Sequence, residues 1–184
     1  MNSESIVGIP LPEKLFAGKT AIITGSSRGV GRATAVRLAE AGANVVINYL
    51  SRHAEADEVV AECQSKGVEA IAVQADTSDF LEAQKLVQAA VDRFGGIDLL
   101  VLNAGIWEGA PIDEMTEEVW NKVLNTNLKS AWAMTKTSVP FIKKRASGSI
   151  VMVSSTAGQR GEAKYARDAR NDPQATWKIT NQRH

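Results

Sequence analysis

The chain reads as an α/β protein whose core is a doubly wound parallel sheet. Two observations predict this. Five short apolar runs alternate along the chain with stretches whose apolar residues recur at helical spacing. The runs are also continuous instead of alternating apolar with polar, as expected of strands covered by helices on both faces. Right-handed crossovers then make the strands parallel.

The elements follow in order. TAIIT (20–24) predicts the first strand, followed by a glycine-rich turn and a helix over RATAVRLAEAG that Gly42 closes. NVVINY (44–49) predicts the second strand, and AEADEVVAECQSKG a helix ended by Gly67. VEAIAVQAD (68–76) is the third strand, FLEAQKLVQAAVDRFGG the third helix and IDLLVLNAG (97–105) the fourth strand. One long helix is expected from about Thr116 to Lys144, with Val119, Val123, Leu124, Leu128, Ala131, Met134, Val139 and Ile142 as its apolar positions. SIVMVSS (149–155) is the fifth strand.

Composition bounds the function. An apolar fraction of 44% and a charged fraction of 23% are ordinary for a globular protein, and 184 residues suffice for one domain with a real core. The 21 basic residues balance the 21 acidic ones, so there is no electrostatic footprint for nucleic acid or for an anionic membrane. No apolar run reaches the roughly 18 residues a membrane span needs. Residues 1–18 lack a basic segment followed by a long apolar one and read as an N-terminal extension. The lone Cys63 excludes an internal disulfide framework and fits a reducing cytoplasm.

The turn after the first strand, Thr24-Gly25-Ser26-Ser27-Arg28-Gly29-Val30-Gly31, carries the most information. Glycines at a strand-to-helix junction let the backbone turn tightly and approach a ligand closely. The helix N-terminus behind them presents free N–H groups and a positive dipole end to a pyrophosphate. The alternative is a plain glycine turn, since the spacing is G-x-x-x-G-x-G and not the commoner G-x-G-x-x-G. The position at the head of a β-α-β unit favours a dinucleotide site. At the end of the second strand, Asn48-Tyr49-Leu50-Ser51-Arg52 contains no acid to bind a ribose 2′-hydroxyl. Arg28 and Arg52 are instead placed to flank a 2′-phosphate, which favours NADP(H) over NAD(H). The other reading leaves them as two solvated arginines.

TGSSRGVG, Asp76-Thr77 after the third strand, LNAG at 102–105, Asn127 in NTNLKS and the strand-ending VSS together resemble the short-chain dehydrogenase/reductase family. The closest resemblance is to its NADP-dependent branch, which includes 3-oxoacyl-acyl-carrier-protein reductases and related sugar and polyol dehydrogenases. It runs from about Lys19 to Ala163 and implies a Rossmann domain over 19–163. It also implies hydride transfer between a ketone or 3-oxo group and a secondary alcohol, with a small-molecule carbonyl or alcohol as substrate. Gly25, Arg28, Gly29 and Gly31 would hold the pyrophosphate and 2′-phosphate, with Ser51 and Arg52 at the ribose end. Val30 would pack under the cofactor. Asp76, with its neighbour Thr77, would contact the adenine. Asn103, Ala104 and Gly105 would line the cofactor near the ribose, with Leu102 standing where the family usually has asparagine. Asn127 would hold a water of a proton relay. Ser155 would hydrogen-bond the substrate carbonyl and stabilise the developing oxyanion. The long helix commonly pairs subunits in this family, so a homo-oligomer is expected.

The resemblance stops short of a Tyr-x-x-x-Lys pair, whose tyrosine protonates the carbonyl oxygen and whose lysine holds the nicotinamide ribose and lowers the tyrosine pKa. After Ser155 the one tyrosine is Tyr165, and four residues on stands Ala169; Arg170 follows at five and Lys164 precedes it. Residues 164–184 hold Pro173 and a thin apolar face, and are expected to form a disordered non-family tail. Such a break is what a shifted reading frame or an alternative exon would leave. The chain therefore reads as C-terminally truncated relative to the family, with the strand at 149–155 an exposed apolar edge and the long helix short of a packing neighbour. Two functions remain open: an NADP(H)-dependent oxidoreductase, or an inactive nucleotide-binding fragment or accessory subunit without the Tyr-x-x-x-Lys dyad.

Overall fold

The computed structural model describes residues 14–111 and 113–155; residues 164–184, Tyr165 and most of the N-terminal extension lie outside the described residues. The elements are β1 (Thr20–Ile23), α1 (Gly29–Glu40), β2 (Asn44–Tyr49), α2 (His53–Gln64), β3 (Ala70–Gln74), α3 (Phe80–Phe94), β4 (Leu99–Leu102), α4 (Glu117–Leu124), α5 (Ser130–Ile142) and β5 (Ser149–Met152). Between α4 and α5 lies a π-helical turn, Asn125–Lys129.

All strand pairs are parallel, in the order β3-β2-β1-β4-β5. The pleat of β1 sorts its side chains into two cores. Ile22 joins Val46, Leu100 and Leu102 against α3 and α5, while Ala21 and Ile23 join Val45, Ile47 and Val101 against α1 and α2. Continuous apolar runs are therefore required in β1, β2 and β4, where both faces are buried.

Two helices begin or end as their sequence dictates. Asp79 caps α3, accepting from the backbone N–H groups of Leu81 and Glu82 at 2.8 and 3.0 Å. Gly95 closes the same helix at φ 76°. Thr116 caps α4 by accepting from the Val119 N–H.

The expected single helix at 116–144 is corrected in one respect. It is interrupted at Asn125–Lys129, where one extra residue per turn is accommodated. Trp120, Leu124, Leu128 and Trp132 nevertheless share an exposed stripe across the interruption. β2 matches its run of 44–49, but the other strands are shorter than theirs: β4 covers 99–102 of 97–105, and β5 covers 149–152 of 149–155. The edge expected at β5 is exposed, with Ile150, Val151 and Met152 accessible by 40%, 52% and 60%.

The start of the central strands is fixed by an ionic cluster. Asp98, 3% exposed in its side chain, is paired with Lys19 at 3.2 Å and Arg145 at 3.0 Å, and accepts from the Thr20 N–H at 3.0 Å. Among the described residues no helix is long and apolar enough to cross a membrane.

Candidate functional site

The strand order reverses between β1 and β4. From β1 the chain winds outward through β2 to β3, then returns to the other side of β1. The connections leaving β1 and β4 therefore diverge and open a crevice beyond the carboxyl ends of the strands, the general ligand position in open α/β sheets. A cavity of about 500 Å³ lies there. The turn after β1 lines it with Gly25, Arg28, Gly29 and Val30, the end of β2 with Ser51 and Arg52, and the segment after β4 with Asn103, Ala104 and Gly105.

The turn is rigid because three side chains hold its backbone, Thr24 and Ser26 buried and Asn103 half-buried. Thr24 Oγ1 accepts from the backbone N–H groups of Asn103 and Ala104 at 3.0 and 2.9 Å. Asn103 Nδ2 donates to the carbonyls of Thr24 and Gly25 at 2.9 and 3.2 Å. Ser26 Oγ donates to the Ile23 carbonyl at 2.7 Å and accepts from the Asn48 N–H at 3.1 Å. The side chains of Thr24, Ser26 and Asn103 are thus already engaged within the junction.

The glycines play different parts. Gly25 and Gly29 have φ of 62° and 58°, the left-handed region that glycine enters at no steric cost. A side chain on Gly29 would enter open space, so its hydrogen keeps the approach to the α1 N-terminus clear. Gly31 is buried and lies below the crevice instead of on its wall. A Cβ there would fall 2.6 Å from Asn103 Nδ2 and from the Gly25 carbonyl oxygen. It lets α1 pack against the turn. Val30 is 64% exposed and faces the cavity from the first turn of α1.

Arg28 and Arg52 stand on the same cavity wall. Arg52 already holds an anion, since its guanidinium donates to Glu55 Oε1 at 2.7 Å.

The remaining residues singled out in the sequence lie around the crevice. Asp76 and Thr77 are in the β3–α3 loop, outside the cavity lining. Asp76 accepts from the Ser78 N–H and Oγ at 2.8 and 2.7 Å, and its own N–H donates to Glu82, so it shapes that loop. Asn127 sits in the π turn and grips the segment after β4, accepting from the Ile106 N–H at 2.8 Å and donating to the Ile106 carbonyl at 2.9 Å. Ser155 is exposed three residues beyond β5, at the same end of the sheet as the crevice.

One residue escaped the sequence reading. Asn48 was noted only as a position without an acid, yet it is 2% exposed and ties three strands together. Its Oδ1 accepts from the Gly25 N–H at 3.1 Å and its Nδ2 donates to the Ala75 carbonyl at 3.1 Å. The available signal was a polar side chain inside the apolar run NVVINY.

Comparison with known proteins agrees with this geometry. The chain is 39% identical over 150 residues to a 3-oxoacyl-[acyl-carrier-protein] reductase FabG of Staphylococcus aureus (strain N315), covering 80% of this chain and 61% of that protein. It is 41% identical over 146 residues to a 3-oxoacyl-[acyl-carrier-protein] reductase of Synechocystis sp., covering 79% and 59%. A crystal structure of a protein assigned to the short-chain alcohol dehydrogenases, from Sinorhizobium meliloti 1021, superimposes with a TM-score of 0.76 at 32% identity, over 79% of this chain and 57% of that one. The chain thus spans about three fifths of the length of these relatives. The family model described as "short chain dehydrogenase" matches residues 19–167, from the foot of β1 through the glycine turn and both walls of the crevice to beyond β5, and the chain belongs to that family.

Proposed function

We propose that the chain binds NADP(H) in the β1–β4 crevice and takes part in hydride transfer between a ketone or 3-oxo group and a secondary alcohol. The observation that carries the cofactor reading is the shared wall of Arg28, Ser51 and Arg52 beside the glycine turn, with Asn48 in place of an acid at the end of β2. A 2′-phosphate calls for planar, permanently charged guanidinium donors, whereas a 2′-hydroxyl calls for a carboxylate.

The fit to a dinucleotide rests on the residues present. Gly29 leaves open space before the α1 N-terminus, where free N–H groups suit a pyrophosphate. Asn103, Ala104 and Gly105 form the opposite wall, and exposed Val30 offers apolar surface. Bound NADPH supplies the hydride; the chain orients it and keeps the crevice ordered. Asp76 and Thr77, in the loop beyond β3, are assigned to the adenine end. Ser155 is assigned to the substrate carbonyl, where a hydroxyl donor stabilises developing negative charge. Asn127 holds the segment after β4 in place and is assigned the support of a proton relay. The substrate class follows the 3-oxoacyl reductases among the similar proteins. A homo-oligomer is supported by the exposed stripe of Trp120, Leu124, Leu128 and Trp132, and a reducing cytoplasm by the single buried Cys63.

A second reading has its own observation. Tyr165 is followed at the fourth position by Ala169, so no Tyr-x-x-x-Lys pair supplies the proton and holds the ribose. In that reading the chain binds nucleotide without independent turnover.

Titration of the chain with NADPH and NADH, followed by tryptophan fluorescence, tests the cofactor assignment. Tighter NADPH, with Arg28→Ala weakening NADPH more than NADH, is expected; equal weakening removes the 2′-phosphate role. Oxidation of NADPH with a 3-oxoacyl thioester then separates the two readings. Turnover that collapses in Ser155→Ala supports the reductase, and binding without turnover supports the nucleotide-binding chain.

A further inference from the structure

The ribose end of the crevice contains an acid that the strand sequence hides. The end of β2 has none, but the first turn of α2 supplies Glu55, whose partner Arg52 lines the cavity. Its carboxylate takes the Arg52 guanidinium at 2.7 Å, three residues away in the chain. Arg28, which lines the same cavity from the glycine turn, adds its positive field to the same carboxylate. The α2 N-terminus has no side-chain cap, so this carboxylate is also the acidic group in the helix's first turn. The two arginines assigned to a phosphate therefore already share an anion of the protein's own.

We infer that Glu55 is a specificity-determining residue, an internal counter-anion that competes with a 2′-phosphate for the charge and donors of Arg52 and sets how strongly the site prefers a phosphorylated ribose. The inference rests on the NADP(H) reading above.

Three physical arguments support it. The Glu55 carboxylate engages Arg52 Nη1 and partly neutralises the guanidinium, so a 2′-phosphate finds one donor taken and a weakened positive field. Any carboxylate that stays beside the phosphate repels it. A carboxylate freed from Arg52 is also the group that binds a 2′-hydroxyl, so Glu55 narrows the gap between the two nucleotides from both sides. The pair is partly exposed, with side chains 48% and 40% accessible, so the exchange is a modest one that a ligand can drive. The neighbouring charges hold the Glu55 carboxyl below its ordinary range: its own backbone N–H acts most strongly, then the Arg52 hydrogen bond, with Arg28 also contributing. Glu55 is accordingly anionic at neutral pH.

The test uses two fragments that need no turnover, 2′,5′-ADP and 5′-AMP, titrated by calorimetry into the wild-type chain, Glu55→Gln, Arg52→Ala and the double variant. Glu55→Gln keeps the side chain's size at a partly exposed helix position, and thermal unfolding checks that each variant is folded. The expected result is an increase of about three- to tenfold in the preference of Glu55→Gln for 2′,5′-ADP over 5′-AMP. In the Arg52→Ala background that increase should be largely lost. An unchanged or reduced preference in Glu55→Gln overturns the inference, as does an undiminished increase without Arg52. A wild-type chain that binds 5′-AMP as tightly as 2′,5′-ADP overturns the NADP(H) reading itself, and this inference with it. The wild-type ratio thus separates the two failures.

Discussion

The Asn48 side-chain carbonyl accepts the Gly25 backbone N–H at 3.1 Å, so the end of β2 positions the first residue of the turn that leaves β1. The same amide donates to the Ala75 carbonyl at the end of β3. One side chain sets the spacing of three chain segments where the crevice opens.

Replacing Asn48 with leucine should therefore damage both stability and the site. It leaves the Gly25 N–H and the Ala75 carbonyl unpaired in a buried setting, costing about 1–3 kcal/mol. Asn48→Asp keeps an acceptor for Gly25 but sets a carboxylate against the Ala75 carbonyl, so it should not rescue. Urea unfolding, followed by nucleotide titration of the folded fraction, measures the two losses. A wild-type midpoint in Asn48→Leu would show that the clasp contributes nothing.

Gly31→Ala and Gly29→Ala should separate packing from backbone strain. At Gly31 the new methyl meets the Gly25 carbonyl oxygen at 2.6 Å and Ser26 Cα at 2.8 Å, atoms that cannot swing aside. A loss of about 3 kcal/mol is expected there. At Gly29 the space is open and only the positive φ resists, which costs about 1 kcal/mol. Thermal unfolding should rank Gly31→Ala well below Gly29→Ala, and the reverse order would contradict the packing argument.

The difference between these glycines marks where sequence reasoning stopped. TGSSRGVG in front of a helix is legible as a turn because local chain geometry demands glycine there. Which glycine faces the crevice and which packs on the turn depends on the return of β4 beside β1, with Asn103 bonded to Thr24 across 79 positions. Asn48 was missed for a similar reason, since its partners lie 23 and 27 residues away and meet it only through the strand register. Arg52 was legible as a cation near the ribose, but its pairing with Glu55 depends on where α2 starts, one residue earlier than expected, at His53. The π turn has no compositional signature in NTNLKS and shows itself only in the backbone. The parallel direction of the strands, by contrast, followed from alternation and handedness alone.

Asp98 should make the fold sensitive to acid. Burial pushes its carboxyl up, but the hydrogen bonds from Arg145, the Thr20 N–H and Lys19 outweigh it and hold the group below the ordinary carboxylate range. A carboxyl whose pKa is lower in the folded than in the unfolded chain contributes stability that is present above the unfolded value, about 3.9, and is lost as pH falls through the folded one. Asp98→Asn should lose about 1–3 kcal/mol at pH 7, after allowing for partial exposure of both cations. It should also flatten the fall in stability below about pH 4. Urea titrations at pH 7, 4 and 3 test both, and parallel curves for the two proteins would rule Asp98 out as the source.

Cys63 should be inert while the chain is folded. It is fully buried between α2 and the sheet, and desolvation pushes its thiol up to about 11. At pH 8 almost none is thiolate, the reactive form. A disulfide-exchange reagent should label the native protein only as fast as it unfolds, and the urea-denatured chain at once. Rapid labelling of the native chain would place the thiol at the surface.

Asn127 holds Ile106 by both ends of its amide, and this makes a prediction that local helix structure alone would not. The π turn presents the side chain to the segment after β4, and the pairing closes a link between residues 21 apart. The Ile106 N–H lies in an exposed stretch with no strand partner, so its protection from solvent exchange depends on Asn127 Oδ1. Asn127→Asp retains the acceptor but sets a carboxylate against the Ile106 carbonyl, so it should protect that amide only in part, whereas Asn127→Leu should release it by about tenfold, the effect of roughly 1.4 kcal/mol of lost local stability. Amide exchange read by NMR resolves the single residue, with β1 amides as an internal control that should not change. If Ile106 exchanges equally in wild type and Asn127→Leu, the segment is positioned by something else, and Asn127 is left without the anchoring role its geometry describes.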